Sequence, residues 1–363
     1  MTPRPKPGIL DITPYVGGRA PAPGGAPGVK LSSNESALGA SRAAVAAYEA
    51  ARREISLYPE GSCQVLRQTI GEIHDLDPER IVCGNGSDEL LSLLAHICVS
   101  PGDEVLFTEH AFLVYRIAAL ASSAVPVAVR EKDLRADVGA ILAAVTRHTR
   151  VVYLANPNNP TGSCLSAVEI RRLHAALPTS TLLVIDAAYA EYVQRDDYDA
   201  GAALVSQFEN VVMTRTFSKI YGLAGLRVGW AYCPDWVVDA INRVRGPFNV
   251  SIPAQRAATA ALLDREHLKR SVAHNAEWKS WLVRHIRGSG LRVDAGEGNF
   301  LLIHFPLSRD AESADAFLTA RGFILRPVAN YGLPHCLRLT IGSAEANRGV
   351  AAAIADFARQ GAL

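Results

Sequence analysis

Between Arg80 and Asp186 the chain alternates short apolar runs with longer amphipathic ones, and this alternation restricts the fold more than any other feature. Ile81–Gly84, Glu104–Thr108, Val125–Val129, Val151–Ala155 and Leu182–Ile185 read as strands. Helical patterns fall between them at Glu89–Val99, Phe112–Ser122, Val138–Val145 and Glu169–Leu177. Apolar strands that each lead into a helix predict an α/β fold with a mostly parallel sheet and helices on both faces. Pro126 places the Val125–Val129 strand at an edge, because proline cannot complete an interior ladder. Ligands of such sheets bind where the strands end. Three polar stretches, Gly86–Asp88, Asn159 and Asp186–Tyr189, follow strand ends and are therefore expected to face one crevice.

The flanks differ. Residues before Leu31 contain the Pro/Gly/Ala-rich run Pro21–Gly28, which can neither continue a helix nor occupy a central strand, so they read as an arm with Ile12, Tyr15 and Val16 to dock it. A helix capped by Ser41 is expected to about Glu54, a turn at Leu57–Gly61, and a helix over Val65–His74. After Pro247 come helical patterns at Pro253–Leu263 and Glu266–Ile286, then strands at Phe300–Phe305 and Cys336–Ile341, a smaller α+β region. With 363 residues, 49% of them hydrophobic, and a net charge of +1, the chain can bury a large core and offers no basic surface for nucleic acid. No run is long and apolar enough to span a bilayer. The six cysteines lack zinc or thioredoxin spacing and the ten histidines lack HExxH, so no metal is called for and a reduced, cytoplasmic protein with small-molecule partners is expected.

The chemistry centres on Thr216–Trp230. Lys219 lies between Thr216 and Ser218 on one side and Gly222, Gly225, Arg227 and Gly229 on the other. Glycines at this density let backbone approach a ligand closely, and a lysine in such a setting suits Schiff-base chemistry with an aldehyde. Taken alone it also fits a solvated surface lysine. The remaining residues describe pyridoxal 5'-phosphate: Asp186 to keep the pyridine nitrogen protonated, Asn159 and Tyr189 to bind the phenolate oxygen, and Phe112 to stack on the ring. Gly86, Ser87 and Asp88 at a helix start, the Thr216 and Ser218 hydroxyls, and Arg227 suit the phosphate, with Ser87 expected as the N-cap. The same turn also serves an ordinary capped helix.

In this order the motifs resemble the fold-type I, class II aminotransferases, and within them the histidinol-phosphate aminotransferases. The likeness runs through Pro14–Tyr15, Ser33–Glu35, Tyr58–Pro59, Gly84–Glu89, Asn156–Gly162, Asp186–Tyr189, Thr216–Lys219 and Gly225–Arg227. It implies a large cofactor-binding domain (51–249), a small α+β domain (31–50 with 250–363) and an arm (1–30). It further implies that Lys219 carries the cofactor, that Asp186 and Tyr189 share the catalytic work, and that Tyr58 reaches the phosphate from the other subunit of a homodimer with shared sites. Tyr15, Asn34, Arg326 and Arg338 match substrate-binding positions. The implied reaction transfers the amino group of L-histidinol phosphate to 2-oxoglutarate, a step of histidine biosynthesis. An aromatic amino-acid aminotransferase and a threonine-phosphate decarboxylase share the pattern. The chain departs from it at Ser36–Ala37, where members often read Asn-Pro, at Ala187, where Glu is frequent, and at Phe112, commonly Tyr.

Overall fold

The structure is a computed structural model describing residues 2–20 and 28–360, so most of the Pro21–Gly28 run lies outside the described residues. After β1 (Val29–Lys30), helix α1 (Arg42–Ala51) starts at Ser41, whose Oγ accepts the Ala44 N–H at 3.1 Å, and α2 (Gln64–His74) follows. The alternating stretch forms β2 (Ile81–Gly84), α3 (Ser87–Cys98), β3 (Glu104–Thr108), α4 (Val114–Ala121), β4 (Val125–Val129), α5 (Val138–Ala144), β5 (Thr149–Ala155), α6 (Ala167–Ala176) and β6 (Leu182–Asp186). Then come α7 (Ala202–Gln207), β7 (Val211–Thr216), β8 (Gly229–Tyr232) and α8 (Asp235–Val244). The sheet order is β2-β8-β7-β6-β5-β3-β4, with β4 and its proline at the edge. Every strand but β8 points the same way; β8 lies antiparallel between β7 and β2. The ends of β2, β5, β6 and β7 therefore share one edge, and the polar stretches that follow them converge there.

Both sheet faces are covered, which is why its strands read as unbroken apolar runs. In β5, Val151 and Tyr153 pack with Leu90, Leu91 and Leu94 of α3 and Val237 of α8. Val152 and Leu154 point to the other face, against Ile170 of α6, Leu66 of α2, Ala44 of α1 and Ala257 of α9 (Ile252–Leu263). Burying each large aliphatic side chain contributes about 1.5–3 kcal/mol. Helices α1 and α9, grouped on sequence with the small region, thus bury their apolar faces against the large sheet. Their small-residue faces, Ala44 on one and Ala254, Ala257 and Ala258 on the other, allow that close approach.

The second layer begins with α10 (Arg265–Gly288) and contains β9 (Arg292–Asp294), β10 (Phe300–His304), α11 (Ser308–Ala320), β11 (Phe323–Ile324), β12 (Arg326–Pro327), β13 (Cys336–Thr340) and α12 (Ala344–Arg359). Its antiparallel sheet has the order β12-β13-β10-β9, while β11 pairs in parallel with β1. Leu301, Ile303, Leu337 and Leu339 face Trp278 and Leu282 of α10 and Ile354 of α12. By strand alternation the opposite face carries Phe300, Leu302 and His304, paired across the ladder with Thr340, Arg338 and Cys336. This polar face looks toward the large sheet, as the hydrogen bond from the Asn34 N–H to Thr340 Oγ1 (2.9 Å) and the packing of Phe300 in the large core show. Residues 2–20 lie across the gap: Ser123 Oγ donates to Pro7 O at 3.2 Å at one end, and Arg19 pairs with Asp315 of α11 at the other.

The start of α3 differs from expectation. Gly86, not Ser87, holds the N-cap position, with φ +82, and no side chain caps it there. Ser87 is the first helical residue. Glu89 from within the helix instead accepts the Asn85 N–H at 2.6 Å, leaving the N–H groups of the first turn directed at the crevice. Gly229 makes this turn possible, because a Cβ there would lie 2.4 Å from Ser87 N and 2.8 Å from Gly86 C, both rigid backbone atoms. Gly229→Ala is expected to destabilise the protein by about 2–3 kcal/mol, lowering the thermal midpoint by several degrees; an unchanged midpoint would show that β8 and the α3 turn are not locked together.

Candidate active site

At the shared strand edge, between the two layers and under the arm, lies a cavity of about 520 Å³. Lys219, Asp186, Tyr189, Asn159, Phe112, Ser87, Asp88, Thr216, Ser218, Arg227, Tyr15, Asn34, Arg326 and Arg338 all line it. Gly86 sits behind Arg227, where a Cβ would come within 2.3 Å of Nη2. Tyr58 is elsewhere. It is 81% exposed and stacks on Phe248, centroids 4.7 Å apart, beside the exposed Ile55 and Leu57.

Asp186 ends β6 with its carboxylate buried. Oδ2 accepts from Tyr115 OH at 2.7 Å and Oδ1 from Thr214 Oγ1 at 3.1 Å. Burial raises its pKa to about 6, and the two hydroxyls and Lys219 offset only part of that rise. An anion with two neutral donors and no buried cation bound to it suits a positively charged ring nitrogen. Tyr115 escaped the sequence reading because it sits within an apolar helix pattern; its signal was a polar-tipped residue three positions after Phe112 on the same face. It is fully buried, stacks on Tyr153 at 4.8 Å, and meets Phe112 edge-on at 6.0 Å.

Lys219 lies in the loop between β7 and β8, with Nζ 5.7 Å from the Tyr189 ring centroid and 3.4 Å from Ser33 O. The Tyr189 hydroxyl accepts from Asn34 Nδ2 at 2.8 Å, and Asn34 itself, at φ +56, is held by Thr340 Oγ1 and by Asn299 Nδ2 on its carbonyl oxygen at 3.1 Å. Asn299, also missed, thereby ties the second layer to the tyrosine. An anion cradle forms at the start of α3. Arg227, at φ +52, donates to Ser218 Oγ at 3.2 Å and pairs with Asp88 at 3.1 Å beside the unpaired N–H groups of the helix. Cradle, buried carboxylate, lysine and aromatic face together fit pyridoxal 5'-phosphate.

Arg326 and Arg338 stand opposite each other on β12 and β13. Both are buried, and their partners are neutral: Arg326 donates to Gly17 O (2.6 Å) and Val16 O (2.8 Å), and Arg338 to Asn159 Oδ1 and Ser32 O (2.7 Å). Arg338 Nε has no partner, and burial lowers this guanidinium from its usual pKa. Two adjacent buried cations held only by neutral oxygens form a site for an anion. Arg326 also clamps the arm, and Tyr15 meets Phe112 edge-on at 6.2 Å. The arm contact was not part of the expectation for Arg326; it follows from the backbone path of residues 15–19.

Such a site on this fold is that of an aminotransferase. Residues 26–354 match the family described as aminotransferase class I and II, and the chain belongs to it. The chain is similar to a histidinol-phosphate aminotransferase of Rhodopseudomonas palustris (strain TIE-1), with 52% identity over 361 residues and 99% of each chain covered. A solved histidinol-phosphate aminotransferase from Sinorhizobium meliloti, in complex with pyridoxal-5'-phosphate, superposes with a TM-score of 0.91 at 28% identity and 99% coverage of both chains. A putative one from Erwinia carotovora atroseptica superposes at 0.86 with 24% identity, covering 93% of this chain and 97% of its own, and shares the fold.

The raised Asp186 pKa has a definite sign for stability. Its stabilising share in the cofactor-free protein is complete below the unfolded value near 3.8 and is lost as pH rises through about 6. At pH 8 the ionised carboxylate thus costs the apoprotein on the order of 3 kcal/mol. Cofactor-free Asp186→Asn is expected to melt at or above the wild-type midpoint at pH 8, with the difference closing toward pH 5. Its affinity for pyridoxal phosphate should fall. A less stable Asn variant at pH 8 would contradict burial as the dominant cause.

Proposed function

We propose that the chain is a pyridoxal-phosphate-dependent histidinol-phosphate aminotransferase. It converts L-histidinol phosphate and 2-oxoglutarate to imidazole acetol phosphate and glutamate in histidine biosynthesis. The observation that carries this reading is the pair of buried arginines, unpaired by any carboxylate among the described residues, in the cavity that holds Lys219 and Asp186. The identity to the Rhodopseudomonas enzyme supports it. Histidinol phosphate carries a phosphate and no α-carboxylate, whereas 2-oxoglutarate carries an α-carboxylate and a distal one, so one site must take a phosphate and then carboxylates. Planar guanidinium forks bind both.

The cofactor, when bound, supplies an electron sink and the carbon that accepts the amino group. Asp186 holds a proton at the ring nitrogen. Asn159 and the Tyr189 hydroxyl donate to the phenolate oxygen, with Asn34 fixing Tyr189. Phe112 covers a ring face. The α3 amides of Ser87 and Asp88, the Thr216 and Ser218 hydroxyls and Arg227 would take the phosphate, whereas the Gly86 N–H donates to Gly84 O at 2.8 Å and Gly86 shapes the turn. Lys219 would hold the cofactor at rest and, once free as an amine, would take the proton from the substrate Cα and deliver it to the cofactor carbon that bears the transferred nitrogen. Tyr15 and the arm limit water access.

Half-reactions of the holoenzyme with histidinol phosphate, phenylalanine and threonine phosphate test the substrate. Histidinol phosphate is expected to react fastest. Arg338→Lys keeps the charge and loses the fork, so it should weaken both half-reactions by about tenfold to a hundredfold while the cofactor stays bound. Unchanged half-reactions, or phenylalanine as the better donor, would favour an aromatic aminotransferase.

The assembly we propose is a cytoplasmic homodimer in which Tyr58 of each subunit completes the phosphate site of the other. Support comes from its exposed position beside Ile55 (79% exposed), Leu57 (62% exposed) and Phe248, an apolar surface that a second copy would cover. The free cysteines are compatible with a reducing compartment. Mixing inactive Lys219→Ala subunits with inactive Tyr58→Ala subunits should restore activity, because heterodimers then carry one intact site. No recovery at any mixing ratio would place each site within one chain.

A further inference from the structure

The face of the second sheet that bears Arg338 continues along β13 and β10 to a different cluster. His304 and Cys336 are direct partners across the ladder, and His335 precedes Cys336. A nitrogen of each imidazole and Cys336 Sγ all lie within 4.8 Å of one another. The Asp294 carboxylate, on neighbouring β9, accepts from His304 Nε2 at 2.7 Å, so the proton of that ring is on Nε2. The lone pair of Nδ1 then points at Cys336 Sγ, 3.3 Å away. This is the arrangement in which a carboxylate orients a histidine for a metal on its other nitrogen.

We infer that His304, His335 and Cys336 form a binding site for a zinc-type divalent cation, with Asp294 orienting His304 and water completing a tetrahedron. Two imidazoles and a thiolate are a borderline-soft donor set that matches zinc and leaves calcium and magnesium without oxygen ligands. Ligand atoms around tetrahedral zinc stand roughly 3.3–3.8 Å apart. His304 Nδ1 and Cys336 Sγ are already at that spacing, and the half-buried His335 brings a ring nitrogen to within 4.8 Å of the other ligand atoms. The backbone around the ligands is fixed, since Phe305 N–H donates to His335 O at 2.9 Å and Cys336 N–H to Leu333 O at 3.1 Å. Arg292 donates to both Asp294 oxygens, to Oδ1 at 3.3 Å and to Oδ2, the oxygen His304 uses, at 3.1 Å; it is largely exposed, so solvent screens it from the cation. On binding, the Cys336 thiol gives its proton to solvent and a sulfur–zinc bond forms, so one proton is released per metal bound. The site is separate from the aminotransferase cavity, although Cys336 and Arg338 share a strand face about 7 Å apart.

Zinc uptake by the substrate-free holoenzyme tests the inference. One zinc per chain should survive dialysis, with one proton released on addition in weak buffer. Cobalt in its place should give intense ligand-field bands in the red, where the pyridoxal chromophore does not absorb. Cys336→Ala should lose the metal and the proton release together. His335→Ala, at a half-buried position outside the apolar clusters, decides the matter if Cys336→Ala does not fold: its affinity should drop by at least about tenfold, and Asp294→Asn should weaken binding about 10–100-fold. No zinc uptake by the wild type, or equal uptake by wild type and His335→Ala, would overturn the site.

Discussion

Two kinds of uncompensated charge, buried in one cavity and held apart, are what the rest of this structure supports. Asp186 projects from the end of β6, and Arg326 and Arg338 from the second sheet; each is satisfied only by neutral groups. Removing such groups from water costs several kcal/mol each unless they are paired. A flexible chain would collapse them onto one another. Here each sits on a strand whose ladder and packed faces fix its position, so the charges remain available to a ligand with a cation at one end and an anion at the other. The large cores under both sheets provide the stability that offsets this cost.

The join between the layers is equally specific. Asn34 touches both: its backbone N–H and side-chain oxygen meet Thr340 on β13, while Nδ2 reaches Tyr189. Asn299 braces it from the start of β10. The position of the tyrosine hydroxyl thus depends on how the second layer docks. The arm adds a third tie, since Arg326 grips the carbonyls of Val16 and Gly17 and brings Tyr15 over Phe112. Any anion at Arg326 would meet a guanidinium already attached to the arm, which links the position of the arm to that of the guanidinium.

Much of this was legible in the residues. The run from Arg80 to Asp186 shows its strands because both faces of the sheet are buried, and a doubly buried strand writes itself as a short apolar run. The glycines of the α3 turn and the lysine loop are equally visible, since close backbone approach tolerates no side chain. Less visible were β8, which follows the glycine-rich loop without a helix, and the start of α3, where Gly86 rather than Ser87 occupies the N-cap position. Propensity favoured the serine, but the crowding of Gly86 by Arg227 and of Gly229 by the helix start decided otherwise.

By itself the sequence determined the alternating fold and the edge strand, brought Lys219, Asp186 and the turn before α3 to one strand edge, and through the order of its motifs indicated the aminotransferase family. These follow from local rules: side-chain period, backbone freedom and the chemistry a residue type can perform. Tertiary structure alone decided that Tyr115 and Thr214 hold Asp186, that Asn299 reaches through Asn34 to Tyr189, and that His304, His335, Cys336 and Asp294 meet. Apart from the adjacency of His335 and Cys336, none of these meetings has a short-range signature. Each joins residues from different strands or helices whose separation along the chain carries no information about their separation in space, and only the registers of the two packed sheets bring them together.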